Sequence, residues 1–291
     1  MRTHSLLLSL SLLASCSSVP APVAQATDAA PLPGLPAASG PRVWKGEYIP
    51  APEALSRFLL SLPTQDVLAS SALRRRYLQG KVLVQELPAQ GDGQDHLIVD
   101  KNGPGYGFWI RSFHGAKAGL TGYLVQVRGL CADLRTTTPT GKAIAVAAAR
   151  QCSKVGATPG FDSGMRAYRV IEGQPPEDVT ASISPDPAVS KAQRERFAPM
   201  GASAVFANVE NLDRVPVFRW MVEFDPEQSS TSVDPPVFNG GHNAHAGFIV
   251  WNGERFERRV TVPRALWPCR AAGHPVDCPP RSTDGDPFIT D

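Results

Sequence analysis

The chain has 291 residues and a near-balanced charge, 29 Lys and Arg against 27 Asp and Glu, for a formal net charge of +2. Such a balance supplies no basic excess that would demand nucleic acid or an anionic bilayer as partner. Gly (25) and Pro (28) are frequent, which signals many turns and irregular loops. Beyond the N-terminus no stretch is apolar for the ~20 residues that a membrane-spanning helix needs.

The N-terminus is the most informative segment. Arg2 and the start amine give a positive n-region, and Leu6 to Ala14 is apolar apart from serines. That is about half the length of a spanning helix, so it reads as the h-region of an export signal. It ends in Leu13-Ala14-Ser15-Cys16. This quartet resembles the lipobox of bacterial lipoproteins, with all four positions matched at the right distance from the start. The resemblance covers residues 1–16 and implies that Cys16 is lipidated on sulfur, that the chain is cleaved before it, and that the new amine is acylated. Several acyl chains on one residue anchor far more firmly than one. Ser17, where an Asp would direct retention elsewhere, implies the outer membrane, with the protein facing the periplasm.

Residues 17–41, SSVPAPVAQATDAAPLPGLPAASGP, are Pro, Ala and Ser with Asp28 as their one charge. Such a segment buries too little apolar surface to fold. In a polyproline-like conformation it would reach roughly 75 Å, a semi-rigid spacer. The expected organisation is therefore a signal peptide over 1–15, a lipidated Cys and tether over 16–41, an N-terminal α+β half over 42–160 and a C-terminal α+β half over 161–291.

The folded part should open with a helix from Pro52 to about Leu62, then a second from Thr64, with Asp66 in its first turn, to Tyr77, ended by Gly80. Arg74, Arg75 and Arg76 fall near its C-terminal end, where a solvated face that complements the macrodipole outweighs an anion site. Strands are expected at Lys81 to Leu87, His96 to Asp100, Gly107 to Phe113 and Tyr123 to Leu130, on aromatic and β-branched content. The Ala-rich stretch Lys142 to Cys152 reads as a helix. In the second half, Arg166 to Ile171 reads as a strand and Pro175 to Ser182 as a short helix. Asp186-Pro187 starts another helix, ending near Gly201, and Val215 to Phe224 forms the longest strand. Asn252-Gly253 between two apolar runs signals a two-residue hairpin loop, which would pair Ile249 with Phe256 and His245 with Val260. The fold class expected from this pattern is α+β, antiparallel sheet with several short helices. A faint internal rhyme suggests two related halves: Asp66-Val67-Leu68-Ala69-Ser70 echoes Asp178-Val179-Thr180-Ala181-Ser182, and Gly107-Phe108 echoes Gly247-Phe248.

Of five cysteines, Cys131, Cys152, Cys269 and Cys278 remain once Cys16 is lipidated. In an oxidising compartment an even number reads as two disulfides, for which three connectivities exist. The expected pairing is Cys131–Cys152 and Cys269–Cys278, each within one half. The second loop carries Pro268, Gly273 and Pro275 and can turn back on itself; the first would pin the Ala-rich helix to a strand end. Tryptic mapping without reduction checks this, because cleavage after Arg150 and Arg270 puts the four cysteines on separate peptides. A peptide joining Cys131 to Cys269 or Cys278 would overturn it.

Few residues carry a chemical motif. His242 and His245 precede a strand and, with Asp234 or Glu257, would be candidate metal ligands. Positions three apart point to opposite faces of a regular strand, so a polar glycine-rich loop is the stronger reading and no metal or cofactor is expected. Asp92, Asp95 and His96, and separately Asp284-Gly285-Asp286, read as solvated loop groups, since neither has calcium-loop spacing. Gly160-Phe161-Asp162-Ser163-Gly164 is not a nucleophile elbow, because Phe161 stands where that turn needs glycine. Gly201-Ala202-Ser203 has the first half only, and no Ser-x-x-Lys, P-loop or dinucleotide fingerprint occurs. Trp109, Trp220, Trp251 and Trp267 read as core. Trp251, beside the hairpin turn, doubles as a candidate interface anchor.

The function expected is a non-enzymatic, outer-membrane-anchored module that binds a protein partner. In layout it resembles envelope lipoproteins that inhibit, or give immunity to, toxins attacking the wall or membrane. The competing readings are a periplasmic hydrolase using His242 or His245, and a structural or assembly lipoprotein.

Overall fold

The computed structural model describes residues 46–89, 93–99, 107–130, 160–187, 191, 205–223, 237–238, 243–268 and 286–290. All of them fall in one compact unit of the chain. Eight antiparallel strands form the first sheet: β1 (Glu47–Pro50), β2 (Lys81–Pro88), β3 (Gln94–Val99), β4 (Gly107–His114), β5 (Leu120–Leu130), β6 (Gly160–Asp162), β7 (Arg166–Ile171) and β8 (Glu177–Asp178). Their order is β1-β2-β3-β4-β5-β7-β8, with β6 also on β5. The second sheet holds β9 (Val205–Asn208), β10 (Val217–Glu223), β11 (Val237–Phe238), β12 (Asn243–Trp251) and β13 (Phe256–Arg259), in the order β11-β12-β10-β9 with β13 also on β12. A separate two-stranded sheet pairs β14 (Val262–Pro263) parallel with β15 (Ile289–Thr290). The helices are α1 (Glu53–Ser61), α2 (Thr64–Val67) and α3 (Ser71–Tyr77).

This is a sheet-rich β fold, and it corrects the α+β expectation of several short helices around one type of sheet. Two local causes are visible. The helix expected from Pro175 to Ser182 is instead β8 followed by a 3-10 turn, Thr180–Ile183. There the Asp178 carboxylate accepts the Thr180 N–H at 2.9 Å, which holds the local turn, and the Thr180 hydroxyl accepts the Ala167 N–H at 3.1 Å, which ties the segment to the sheet in place of a helix. The single helix expected from Thr64 to Tyr77 breaks at Leu68, whose φ of 56° is left-handed, and restarts where the Ser70 hydroxyl accepts the Leu73 N–H at 3.1 Å. The Lys142 to Cys152 helix, and most of the one after Asp186, lie outside the described residues. The first sheet takes in β6, β7 and β8 beyond residue 160, so the change of sheet falls between Asp178 and Val205.

Both faces of the first sheet are covered, and the alternation along β5 shows it. Tyr123, Val125 and Val127 point into a core shared with Leu55, Phe58, Leu59, Leu73 and Tyr77 of the helices. The Phe58 and Tyr123 rings stack there at 3.9 Å. Leu120 and Leu124 point the other way, into a core shared with Phe218, Ile249, Trp251 and Phe256 of the second sheet. Each such side chain contributes roughly 1.5–3 kcal/mol by leaving water.

The final hairpin departs from its expected register. Trp251 pairs with Phe256 and Ile249 with Arg258, so the connection is Asn252–Arg255, four residues rather than two. His245 pairs with Met221 of β10, not with Val260. The cause is Asn252: its side-chain carbonyl accepts the N–H of both Glu254 and Arg255, each at 2.9 Å, which builds a local turn around it. The slip is by two residues, so every side chain keeps its expected face.

The base of the hairpin is covered, although Glu254 and Arg255 at its tip are exposed. The Ala116 N–H on the β4–β5 turn donates to the Gly253 carbonyl at 2.7 Å, and Lys117 pairs with Glu254 at 2.9 Å. Trp251 is consequently buried, 1% exposed, with its Nε1–H donating to the His114 carbonyl at 2.8 Å. Its indole lies flat on Gly122, where an added Cβ would stand 2.7 Å from Cζ3. Gly122→Ala should therefore destabilise by about 1–3 kcal/mol through overpacking, read as a lower urea midpoint. An unchanged midpoint would mean that the sheets do not pack this closely.

Candidate functional site

Cys16, Cys131, Cys152, Cys269, Cys278 and His242 lie outside the described residues. Of the sequence-derived candidates, His245 and Trp251 are described. Trp251 belongs to the core between the sheets, and His245 to a separate cluster on the opposite face of the second sheet.

That cluster is built around Arg219, in the middle of β10. Register shifts between Arg219 and Met221, so Ala246 and Gly247 of β12 face only Trp220. Gly247, at φ 105°, supplies the backbone that this bulge needs. The extra residue brings His245 and Phe248, three apart, onto the same face, which a regular strand forbids. Their rings lie 4.9 Å apart. The Arg219 guanidinium sits 4.7 Å over the Phe248 ring and donates through Nε to His245 Nδ1 at 2.9 Å. Its two Nη groups grip the Asp286 carboxylate, one of them at 3.3 Å. Phe288 stacks on His245 at 4.0 Å, and Trp267 meets Phe248 edge-on at 5.3 Å.

The electrostatics follow from this packing. Burial pushes the His245 imidazole down to about 3; the Arg219 cation adds to the shift and the Val260 carbonyl opposes it. The ring is thus neutral at pH 7, with Nδ1 as acceptor and the proton on Nε2. Burial also lowers Arg219, against the raising effect of Asp286. His245 Nδ1 is taken up by the Arg219 guanidinium, and a metal ion placed on the same ring would stand close to that cation. Glu257, the other described member of the suggested metal set, instead accepts from Asn252 Nδ2 at 2.8 Å and from Arg259 Nε at 2.6 Å. Among the described residues no group of three or more His, Cys, Asp or Glu is placed to hold a metal ion. Asp286 is not a solvated loop carboxylate: its side chain is 10% exposed and paired.

A second cluster surrounds Arg111 of β4, fully buried between the sheets. Arg111 donates through Nε to the Leu212 carbonyl at 2.7 Å, pairs through Nη1 with Asp95 Oδ2 at 3.0 Å, and lies 4.3 Å over the Phe113 ring. Burial lowers its pKa, and Asp95 opposes that. Asp95 is 3% exposed, again the reverse of the solvated reading. Its Oδ1 accepts the His114 N–H at 2.5 Å and lies 3.5 Å from His114 Nδ1. Alongside, the Ser112 hydroxyl accepts the His96 N–H at 2.8 Å, so side chains of Asp95 and Ser112 continue the β3–β4 ladder where backbone pairing stops at Leu97–Arg111. Burial lowers the His96 imidazole, with Glu86 and Asp95 opposing. An aspartate beside a partly exposed histidine is a general-base geometry in outline, but among the described residues no hydrogen bond joins a hydroxyl or thiol to the His114 ring.

Arg74 is the third buried arginine. Its Nη1 donates at 2.5 Å to the carbonyl of Leu59, one of the orphan acceptors at the end of α1, and Nη2 lies 3.5 Å from Thr64 Oγ1. It caps one helix from another and is not the solvated group that the Arg74–Arg76 triplet suggested. Sequence reasoning missed all three arginines, although the signal existed for two. Arg111 interrupts Phe108-Trp109-Ile110 before Ser112-Phe113, and Arg219 sits inside Val217-Phe218 and Trp220-Met221-Val222. A cation inside a strand covered on both faces needs a buried acid. No protein-family model, curated protein or solved structure matches the chain.

Proposed function

We propose that the chain is a lipid-tethered binding module, exported, acylated at Cys16, held at the outer membrane facing the periplasm, and devoted to recognising a protein partner. The carrying observation is the four-residue match Leu13-Ala14-Ser15-Cys16 followed by the Pro- and Ala-rich spacer over 17–41. A spacer of that reach is useful to a domain that must meet something away from the bilayer. The domain supports the reading in one further respect. The groups nominated for chemistry, His245, Asp95 and Asp286, are committed to internal arginines, and a histidine at about 3 is far from the pKa that suits a general base. The hydrolase reading therefore loses His245. Inhibition of an envelope-targeting toxin, or immunity to it, is the finer form of the proposal.

Two measurements test it. Cys16→Ala should abolish palmitate incorporation and leave uncleaved precursor or released protein. Labelling of that variant at the wild-type level would remove the anchor. Site-specific photo-crosslinking of the anchored chain in intact cells should trap a discrete protein partner; if crosslinks form only to lipid and to itself, the binding role fails.

A further inference from the structure

The outer face of the second sheet holds a groove already filled by a peptide, the chain's own residues 286–290. Arg219, 1% exposed, forms its cationic floor, and His245, Phe248 and Trp267 form its aromatic wall. Asp286 grips the guanidinium with both carboxylate oxygens. Two residues later Phe288 stacks on His245 and lies 5.3 Å from the Arg219 guanidinium carbon. The Asp286 carboxylate accepts the Phe288 N–H at 3.0 Å, which fixes the spacing between the two anchors. The Phe288 carbonyl accepts the Val262 N–H at 3.1 Å, and Ile289–Thr290 then runs parallel to Val262–Pro263. A buried charge pair, one aromatic anchor two residues on and a short added strand are the elements by which extended peptides are recognised. The residues 269–285 lie between this strap and Pro268, so the strap reaches the groove from a distance in sequence and not as the next turn of a hairpin.

We infer that this groove is a recognition site for an Asp-x-Phe segment of a protein partner, with Asp286-Pro287-Phe288 of the chain itself as a competing occupant. The inference rests on the binding-module reading above and names the partner chemistry that the module takes: a carboxylate for Arg219, an aromatic ring for the His245–Phe248 wall, and an extended backbone for β14. The strap regulates access, because a tethered occupant competes at a high effective concentration. A partner must displace it or meet the chain while it is open.

The test uses the full chain and a fluorescent peptide of sequence Asp-Pro-Phe-Ile-Thr-Asp, matching residues 286–291. The receptor is the Asp286→Ala/Phe288→Ala chain, whose own strap lacks both anchors, checked for wild-type circular dichroism. It should bind the peptide saturably, and the wild-type chain should bind it at least about tenfold more weakly because its strap competes. A peptide with Ala in place of Asp should lose about thirtyfold or more, the loss expected on removing one partner of a buried charge pair. A folded receptor that does not bind the peptide overturns the inference. Should the double variant not fold, native-state hydrogen exchange on the wild type decides. The Val262 and Ile289 amides should exchange through a local opening well before the Ile249 and Val250 amides of β12. If they exchange only with that core, the strap is a permanent cover and the inference fails. A strap-exchanged dimer in sedimentation, in place of peptide binding, would assign the groove to a second copy and overturn the separate partner. Partner crosslinks unaffected by excess peptide would sink the groove and leave the binding-module reading standing; absence of any partner sinks that reading first.

Discussion

Arg111→Ala should destabilise the chain by about 3–5 kcal/mol, the largest loss expected from any single surface-neutral change described above. The substitution leaves the Asp95 carboxylate, 3% exposed, without its guanidinium, and leaves the Leu212 carbonyl without its donor across the two sheets. Asp95 also accepts the His114 N–H, so the charge cannot simply move to solvent without opening the β3–β4 ladder. Removing both ends is a different matter. Arg111→Met with Asp95→Leu removes the unpaired charge and should recover part of the loss, the remainder being the Leu212 carbonyl and His114 N–H left without partners. Urea unfolding of the wild type, Arg111→Met, Asp95→Leu and the double variant gives the coupling energy. A single Arg111→Ala variant within about 1 kcal/mol of the wild type would show that Asp95 is solvated in the folded state.

How far the sequence led depends on how local the cause was. Strands were legible where alternation decided them: Arg166–Ile171 appears with its expected bounds, and Gly107–His114 and Lys81–Pro88 differ by one residue. The helix between Thr64 and Tyr77 was legible in content but not in its break, because the Ser70 cap competes with a continuous pattern that apolar spacing alone supports. The fold class went astray at Pro175 to Ser182, where the deciding bond is from the sheet, Ala167 N–H to the Thr180 hydroxyl, and nothing in the local run announces it. The clusters were the least legible. Asp286 lies 67 residues from Arg219, and no periodicity links them. The convergence of His245 with Phe248 needs a bulge that only Gly247 hints at. Reading Asp95 and Asp286 as solvated followed the composition of their loops; their burial follows from the two strand-interior arginines, which require acids wherever the chain can bring them.

The two sheets therefore differ in what their arginines hold. Arg111 joins the sheets to each other through Leu212, and its loss threatens the sandwich itself. Arg219 joins the second sheet to the C-terminal strap, and its surroundings include the one strongly shifted histidine described. That histidine gives the second large expected effect, and its sign differs from that of a paired histidine.

Between pH 6.5 and pH 3 the chain should lose stability by about 1.4 kcal/mol for each pH unit on account of His245 alone. The folded ring is held at about 3 by burial and by Arg219, against an ordinary value of 6.5 in the unfolded chain. Its folded pKa is depressed, so below 6.5 the unfolded state binds a proton that the folded state refuses. The contribution is whole above pH 6.5, falls as the pH drops, and is exhausted as the pH passes the folded value. At pH 4.5 the expected loss is roughly 2–3 kcal/mol, a large part of a typical folding free energy. Among the described residues the charged group on the ring is Arg219 of β10, itself paired with Asp286 of the strap, and both remain in a chain where only the histidine changes. His245→Gln is the matched control, because its side-chain carbonyl can accept the Arg219 Nε–H while carrying no titrating proton. The variant should be less stable than the wild type at pH 7, through imperfect stacking on Phe288. On acidification to pH 4.5 the gap between them should close by about 2–3 kcal/mol, since every other titrating group is common to both chains. Urea unfolding at several pH values reads that difference, and parallel pH profiles for the two chains would show that His245 is protonated freely in the folded state and that Arg219 does not hold it.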